Sequence, residues 1–396
     1  MYNGSSIYNF YVWGPVLDYD NSEKYIGISH VSDEDTVGPP ITIRYSIKQM
    51  EGVTITSSKL QICDYNESVL REIENIPIGD NQEILWDGKK ETGEIFPAGE
   101  YNLKIVSTGN GKEVPTNPHK VFLFKVFIID PVGREIYISK TPEMPKDVFK
   151  AYIVPSTIKL NEVTFKWNIE LLFNQHGRND KHLIPSSGTI DIIGKKEFIP
   201  NWGSLFAGGD LSINVTAVIS DKESKYSDNL YDIKGKNPDK SDVLKKLGTF
   251  PATNIACWES AHSLAQFDSE NWPLFGPPNG WGIMQIDTPP SKCPLKERTI
   301  WDWTDNVAMG LCTINGKGEE ARAYINNVYN DYPDAPEFPE TIVLNGISYN
   351  AFTIDVIKRY NGGKYFGYNS VLNQWIIVNE GPNPNYVQNV LNANCE

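Results

Sequence analysis

No stretch of about 18 or more apolar residues occurs in the chain, so no transmembrane helix and no membrane insertion is expected. The opening residues, Met1-Tyr-Asn-Gly-Ser-Ser-Ile-Tyr-Asn-Phe10, lack a basic stretch followed by an apolar one, so no secretory signal is legible. A removed signal, export by a signal-free route and retention inside the cell all stay open. Positive charge is scarce: 36 Lys and Arg stand against 50 Asp and Glu, for a net charge of −14. Phosphate binding needs a basic face, so a chain this acidic is a poor candidate for nucleic acid, and no nucleic-acid partner is expected; it is a poor candidate for adhesion to anionic lipid for the same reason. Cysteine is also sparse. The five are Cys63, Cys257, Cys293, Cys312 and Cys395, and none forms a CxxC pair, so no metal site is expected. Cys257 and Cys312 sit in helix-like segments and read as core. Cys293 and Cys395 sit in loop-like segments and can pair with each other, and an odd count leaves at least one thiol over. No nucleotide-binding loop and no Ser/His/Asp arrangement stands out, so no cofactor is expected. Asp18-Tyr-Asp-Asn-Ser-Glu23 is faintly like a calcium loop but lacks the glycine and the terminal glutamate at the right spacing, and reads as a solvated turn.

What the chain does have is aromatic side chains, 12% of its residues, with 10 Trp and 20 Tyr. These suit both β-sandwiches and sugar-binding clefts. At 396 residues, two to four domains are expected. To about Lys240 the pattern is strand-like. Ile41-Thr-Ile-Arg-Tyr-Ser-Ile, Tyr101-Asn-Leu-Lys-Ile-Val and Val121-Phe-Leu-Phe-Lys-Val-Phe-Ile-Ile are followed by Val163-Thr-Phe-Lys-Trp-Asn-Ile-Glu-Leu and Leu211-Ser-Ile-Asn-Val-Thr-Ala-Val. Such spacing predicts two all-β sandwiches, over 1–134 and 135–236, divided at the Pro/Gly turn Asp130-Pro-Val-Gly-Arg134. The polar stretch Ile233-Lys-Gly-Lys-Asn-Pro-Asp-Lys240 reads as the linker to a mainly α domain over 237–396. There, 241–248 opens on an N-cap residue, and 252–267 places Ile255, Trp258, His262 and Ala265 on one helical face. Segments 303–311 and 321–329 also read as helices.

In the first sandwich, Trp86-Asp-Gly-Lys-Lys-Glu-Thr-Gly93 leads into Phe96-Pro-Ala-Gly-Glu-Tyr101. This resembles the immunoglobulin-like domain of the flagellar hook-capping protein family. Asp87-Gly88 and Gly99 would supply turn geometry, with Trp86 and Tyr101 capping the sheet, a role in building the fold.

Three short motifs in the last third carry chemistry in a telling order: Cys257-Trp258-Glu259-Ser260 on a helix, Gly280-Trp-Gly-Ile-Met-Gln-Ile-Asp287, and Arg359-Tyr360-Asn361-Gly362-Gly363. Together they resemble the soluble lytic transglycosylase and goose-type lysozyme family over roughly 244–366. That family carries Glu-Ser, then Gly-Leu-Met-Gln, then Tyr-Asn-Gly-Gly; here Ile283 stands for the leucine. The resemblance implies a lysozyme-like fold and cleavage of the MurNAc–GlcNAc β-1,4 bond of peptidoglycan glycan strands. Glycosidic cleavage needs a proton on the leaving oxygen, and a carboxylic acid holds one near neutral pH only when desolvation raises its pKa. Glu259 is the residue for that role, first as acid. It would then act as base on the muramic acid's own 6-hydroxyl, giving a 1,6-anhydro end without water.

The same resemblance assigns Ser260 to orienting the acid or the substrate, and Gly282 to close approach of backbone and sugar. It lets Met284 and Gln285 line the cleft, places the Tyr360 hydroxyl near Glu259, and has Asn361 shape the turn that presents it. Trp272, Phe275 and Trp281 either stack on sugar or pack a rigid loop. His262 reads as packing or exposed. Asp268 and Asp287 are the carboxylates best able to act as a second, water-activating group. With one of them about 6.5–9.5 Å from Glu259, a hydrolytic muramidase becomes the alternative. A non-catalytic envelope-binding or structural protein is the third reading. Missing signal, acidic charge and β-modules ahead of a wall-cutting domain also suit a secreted bacterial toxin, acting in the periplasm and held in check by an inhibitor or immunity protein.

Overall fold

The computed structural model describes residues 14–17, 24–31, 34–49, 51–131, 133–184, 192–193, 197–287 and 296–395. The turn at 18–23 and Cys293 lie outside them. The N-terminal part is β throughout. Strict alternation in Ile41–Lys48 buries Ile41, Ile43, Tyr45 and Ile47 on one face and leaves Arg44 and Lys48 exposed on the other. This strand pairs with Gly14–Leu17 and Gln82–Trp86 in an antiparallel three-stranded sheet. Its buried face shares a core with Leu60, Ile62, Leu103 and Ile105, from strands Ile55–Cys63 and Gly99–Gly109 of a second, larger sheet. Each such side chain stabilises the sandwich by roughly 1.5–3 kcal/mol. Trp86 is fully buried, edge-on to Phe96 and Tyr101 at 6.0 and 6.1 Å, and the Tyr101 hydroxyl donates to the Pro97 carbonyl. Gly88 has the left-handed φ of 72° that its turn requires. Gly99, expected in a turn, instead opens a strand.

The larger sheet continues into a second core. Strand His119–Asp130 contributes Val121 and Leu123 to the first core and Phe124 and Val126 to the second. It lies parallel to Tyr25–Val31, which in turn meets Lys222–Gly235. Thr164–Phe173 and Gly209–Ile219 then pair antiparallel and bury Phe165, Ile169, Leu171, Leu211, Ile213 and Val215. The β region is therefore two sandwich-like cores strung on one continuous sheet.

The last third holds six α-helices among the described residues: α1 (Lys240–Leu247), α2 (Ala252–Glu259), α3 (Glu297–Trp301), α4 (Trp303–Asp331), α5 (Ala351–Tyr360) and α6 (Tyr386–Asn392). Three antiparallel hairpins are also described there: Phe275–Gly276 with Gly280–Trp281, Thr341–Leu344 with Ile347–Asn350, and Lys364–Asn369 with Gln374–Glu380. The two helices expected at 303–311 and 321–329 are one, α4, of 29 residues. Glycines weaken the local helical signal, but Gly310 gives Met284 room: a Cβ there would lie 2.4 Å from Met284 Cγ. Asp302 caps this helix, accepting from the Thr304 and Asp305 amides. The helix expected over 252–267 is shorter than its pattern. It stops at Glu259, because Ala261 and His262 take left-handed φ values of 51° and 65°. His262 therefore shares no helical face with Glu259; it is exposed and faces the Asn394 carbonyl. No helix among the described residues is long and apolar enough to cross a membrane.

Candidate active site

A cleft of about 410 Å³ opens in the helical part. Its lining includes Glu259, Gln285, Asp287, Tyr360 and Asn361, brought together from three separate motifs, together with Thr313 and Lys317 of α4. Glu259 is the last residue of α2, and its carboxyl is largely withdrawn from water. That desolvation raises its pKa above the usual glutamic acid value, while a hydrogen bond from Tyr386 pulls the other way. The negative end of the α2 dipole works in the same direction as desolvation.

The Tyr386 hydroxyl donates to Glu259 Oε1 at 2.5 Å. Tyr386 is buried at the start of α6, 127 residues along the chain, and sequence reading missed it. Burial first, then the Glu259 charge, keeps its phenol well above the ordinary pKa, so it stays a proton donor in its hydrogen bond. Its helix is tied down at both ends. Lys358, fully buried, donates to the Asn383 carbonyl just ahead of α6. Asn254 of α2 donates to the Val390 and Ala393 carbonyls at its end. A disulfide between Cys257 and Cys395 closes a loop of sequence separation 138. The pairing of Cys395 with Cys293 is thus corrected: the end of the chain packs on α2, and Cys257 is the thiol within reach. Cys312 is also disulfide-bonded, and Cys63 is buried and free. Opening the Cys257–Cys395 bridge with the pair Cys257→Ser and Cys395→Ser is expected to cost about 2–4 kcal/mol of stability. A urea titration at fixed pH measures it.

Several expectations are overturned by packing. Tyr360 does lie near Glu259, in the same cleft and within reach of its charge, but its hydroxyl donates to the Met284 carbonyl at 2.7 Å, and it is Tyr386 that makes the tyrosine bond to the acid. Met284 is fully buried against Gly310 and does not line the cleft; its amide is held by Asn306 Oδ1 at 2.9 Å. Ser260 is buried, and its hydroxyl accepts from the Leu264 amide and donates to the Cys257 carbonyl, closing the turn after α2 with no bond to the acid. Gly282, with a φ of 71°, has no sugar-facing role: a Cβ there would lie 2.4 Å from Gln266 Nε2 and 2.6 Å from Asn306 Nδ2, both side chains fully buried. Of the two alternatives for Trp272 and Trp281, the packing one is what the structure displays: both pack on the second β core, Trp272 half-buried and edge-on to Trp301, Trp281 buried and edge-on to Phe173. Asp268 accepts from the Glu270 and Trp272 amides in its own loop, away from the cleft, so Asp287 is the carboxylate that lines the cleft with Glu259.

Gln285 is both wall and prop. Its Nε2 donates to the Gly282 carbonyl at 2.8 Å, and its Oε1 lies where Cβ atoms on Gly276 and Gly280 would collide with it, at 2.0 and 2.6 Å. The Asn361 Oδ1 is buried with no hydrogen-bond partner among the described residues.

The site therefore offers a carboxylic acid whose desolvation favours the protonated form, a phenol that stabilises the anion it becomes, and amide groups for sugar hydroxyls. Tyr386→Phe removes a bond that favours ionised Glu259, so the pKa of the acid rises further. If Glu259 acts as the acid, the alkaline limb of kcat/KM moves to higher pH in this variant, with a loss of roughly tenfold at the optimum; a pH–rate profile of the pair checks both.

No family model matches the chain, and no curated protein matches it. Solved structures similar to it include the chicken CNTN1 FN1–FN3 domains, 12% identical over 56% of this chain and 65% of that one, with a TM-score of 0.27. The N-terminal four Ig domains of Dscam1 isoform 1.9 are 11% identical over 57% and 46%, at 0.21. A Salmonella alpha-2-macroglobulin mutant is 10% identical over 56% and 14%, at 0.19. The chain covers less than two thirds of each of these three, and at such TM-scores the likeness carries no argument, so the reading of the site rests on its own geometry.

Proposed function

We propose that the chain cleaves peptidoglycan as a lytic transglycosylase, with a lysozyme-like C-terminal domain behind two immunoglobulin-like sandwiches. The observation that carries this reading is the desolvated Glu259 carboxyl in the cleft, bonded by Tyr386 and flanked by Gln285, Tyr360 and Asn361. Glu259 gives its proton to the oxygen between MurNAc and GlcNAc as the C1–O bond breaks and an oxocarbenium-like centre forms. Tyr386 donates to the resulting carboxylate. That carboxylate takes the proton of the muramyl 6-hydroxyl, whose oxygen closes on C1. The proton returns to Glu259, no water is consumed, and a 1,6-anhydro end results. Gln285 and Asn361 provide donors and acceptors for sugar hydroxyls.

Asp287 favours a second reading, because it is a carboxylate in the same cleft. If it activates water on the far face of the sugar, the enzyme is a hydrolytic muramidase on the same bond. Digestion of purified sacculi followed by mass spectrometry separates the two: anhydro ends support the transglycosylase, and reducing ends alone sink it. An enzyme of this kind would act in the cell envelope, and a producing cell would need an inhibitor protein. Growth of a Gram-negative host with the chain forced into its periplasm tests this toxin reading, and unimpaired growth would refute it.

A further inference from the structure

One wall of the cleft is a two-by-two hairpin in which Phe275 pairs with Trp281 and Gly276 with Gly280. Gly276, Pro277, Pro278 and Gly280 line the cleft. The flanking rings turn outward to the second β core. Phe173, the last residue of its strand, lies edge-on to Trp281 at 5.9 Å and to Trp301 at 5.0 Å. Beyond it the chain turns at Gln175, and His176 takes a left-handed φ of 51° that costs a non-glycine residue conformational energy. That turn lays the exposed His176 imidazole flat on Phe275, with ring centroids 3.9 Å apart and planes 7° from parallel, and edge-on to Trp281 at 5.7 Å. The contact belongs to a fitted seam. A Cβ on Gly208 would lie 2.3 Å from the Trp301 ring, and one on Gly235 would lie 2.0 Å from Phe267. His182 Nε2 and Glu297 Oε1 meet at 2.7 Å in a hydrogen bond at its edge.

We infer that His176 is a positioning residue for substrate: the second β-module forms the outer support of the cleft wall, and through Phe275 it sets where the Gly276–Gly280 turn meets a glycan strand. The β-module is then an outer support of the cleft wall and not only a tether, while the residues that line the cleft come from the helical part. This rests on the proposed glycan-cleaving function. A wall held in place before substrate arrives spares the ordering cost on binding. Loosening it weakens ground state and transition state alike, which raises KM more than it changes kcat.

The test uses the full chain with His176→Ala and His176→Phe, soluble glycan strands as substrate, and hydrogen exchange of amides 275–285. The alanine variant is expected to raise KM about tenfold with a much smaller change in kcat, to speed exchange in the hairpin, and to keep its thermal midpoint, because the ring is exposed. Phenylalanine, which restores a flat ring, is expected to reverse both changes. Unchanged KM and exchange in the alanine variant would overturn the inference. So would a fall in kcat that tracks a lower thermal midpoint at constant KM, which marks a merely structural role. If the wild-type protein cleaves no glycan, the proposed function fails, and the exchange of the hairpin alone then decides whether His176 holds the wall.

Discussion

Glu259→Gln is expected to lower the rate of sacculus clearance by about 10²–10⁴-fold with the fold intact. The exchange keeps the shape of the side chain and an acceptor for the Tyr386 hydroxyl, but removes the only proton the mechanism can deliver. Asp287, the other carboxylate lining the cleft, cannot replace it if the proton must come from the desolvated group. Intact folding has its own signature. Burial raises the folded pKa of Glu259 above its unfolded value of about 4.3. The stability this group contributes is therefore fully present below the unfolded pKa and is lost as pH rises through the folded one. The Gln variant carries no such loss, so its thermal midpoint relative to wild type climbs from acid toward neutral pH. A variant that is inactive and gains relative stability with pH locates the acid. One that clears sacculi at the wild-type rate removes Glu259 from the mechanism.

Asn306→Ala is expected to be the most damaging change for the scaffold, destabilising the protein by roughly 3–5 kcal/mol. Asn306 is fully buried on α4 and uses its whole amide group. Its Nδ2 donates to the Trp281 and Thr299 carbonyls, at 2.8 and 3.1 Å, and its Oδ1 accepts from the Met284 amide at 2.9 Å. One side chain thus joins α3, α4 and the turn that carries Gln285. Alanine removes three hydrogen bonds at once: the Met284 amide loses Asn306 Oδ1, the Thr299 carbonyl loses Nδ2, and the Trp281 carbonyl keeps only the Ile286 amide; a buried group left unpaired costs about 1–3 kcal/mol before relaxation. The Met284 carbonyl, which holds Tyr360, would shift with them, so activity should fall further than stability alone explains. Chemical denaturation gives the first quantity, and the specific activity of the folded fraction gives the second. A loss under about 1 kcal/mol would show that water takes over these bonds.

The same turn shows what was legible in the sequence. Alternation at Ile41–Lys48 and the Trp86-Asp-Gly turn carry their structure locally, through period-two burial and a left-handed glycine. The order of the three motifs placed Glu259, Gln285, Asp287, Tyr360 and Asn361 in one region of the chain, and they line one cleft. What failed depends on contacts between distant segments. Met284 and Gln285 are neighbours in sequence, yet one fills the gap over Gly310 and the other faces the cleft. Trp272 and Trp281 carry no mark of which side a β core will approach, and the core takes both. Tyr386 sits in an unremarkable Pro-Asn-Tyr-Val segment; only α6 folding back onto α2 makes it the partner of the acid. The stop of α2 at Glu259 was hidden too, because Ala261 and His262 adopt left-handed angles that neither residue type advertises.

The most direct test of the account is the product analysis of peptidoglycan digested by the wild-type protein. Purified sacculi are incubated with the full chain, and the soluble fragments are weighed by mass spectrometry with and without borohydride. The account predicts fragments ending in 1,6-anhydromuramic acid, unchanged in mass by borohydride. Fragments that all gain the mass of reduction would contradict transglycosylation and assign the water-activating role to Asp287. Sacculi left undigested would contradict the enzymatic reading as a whole.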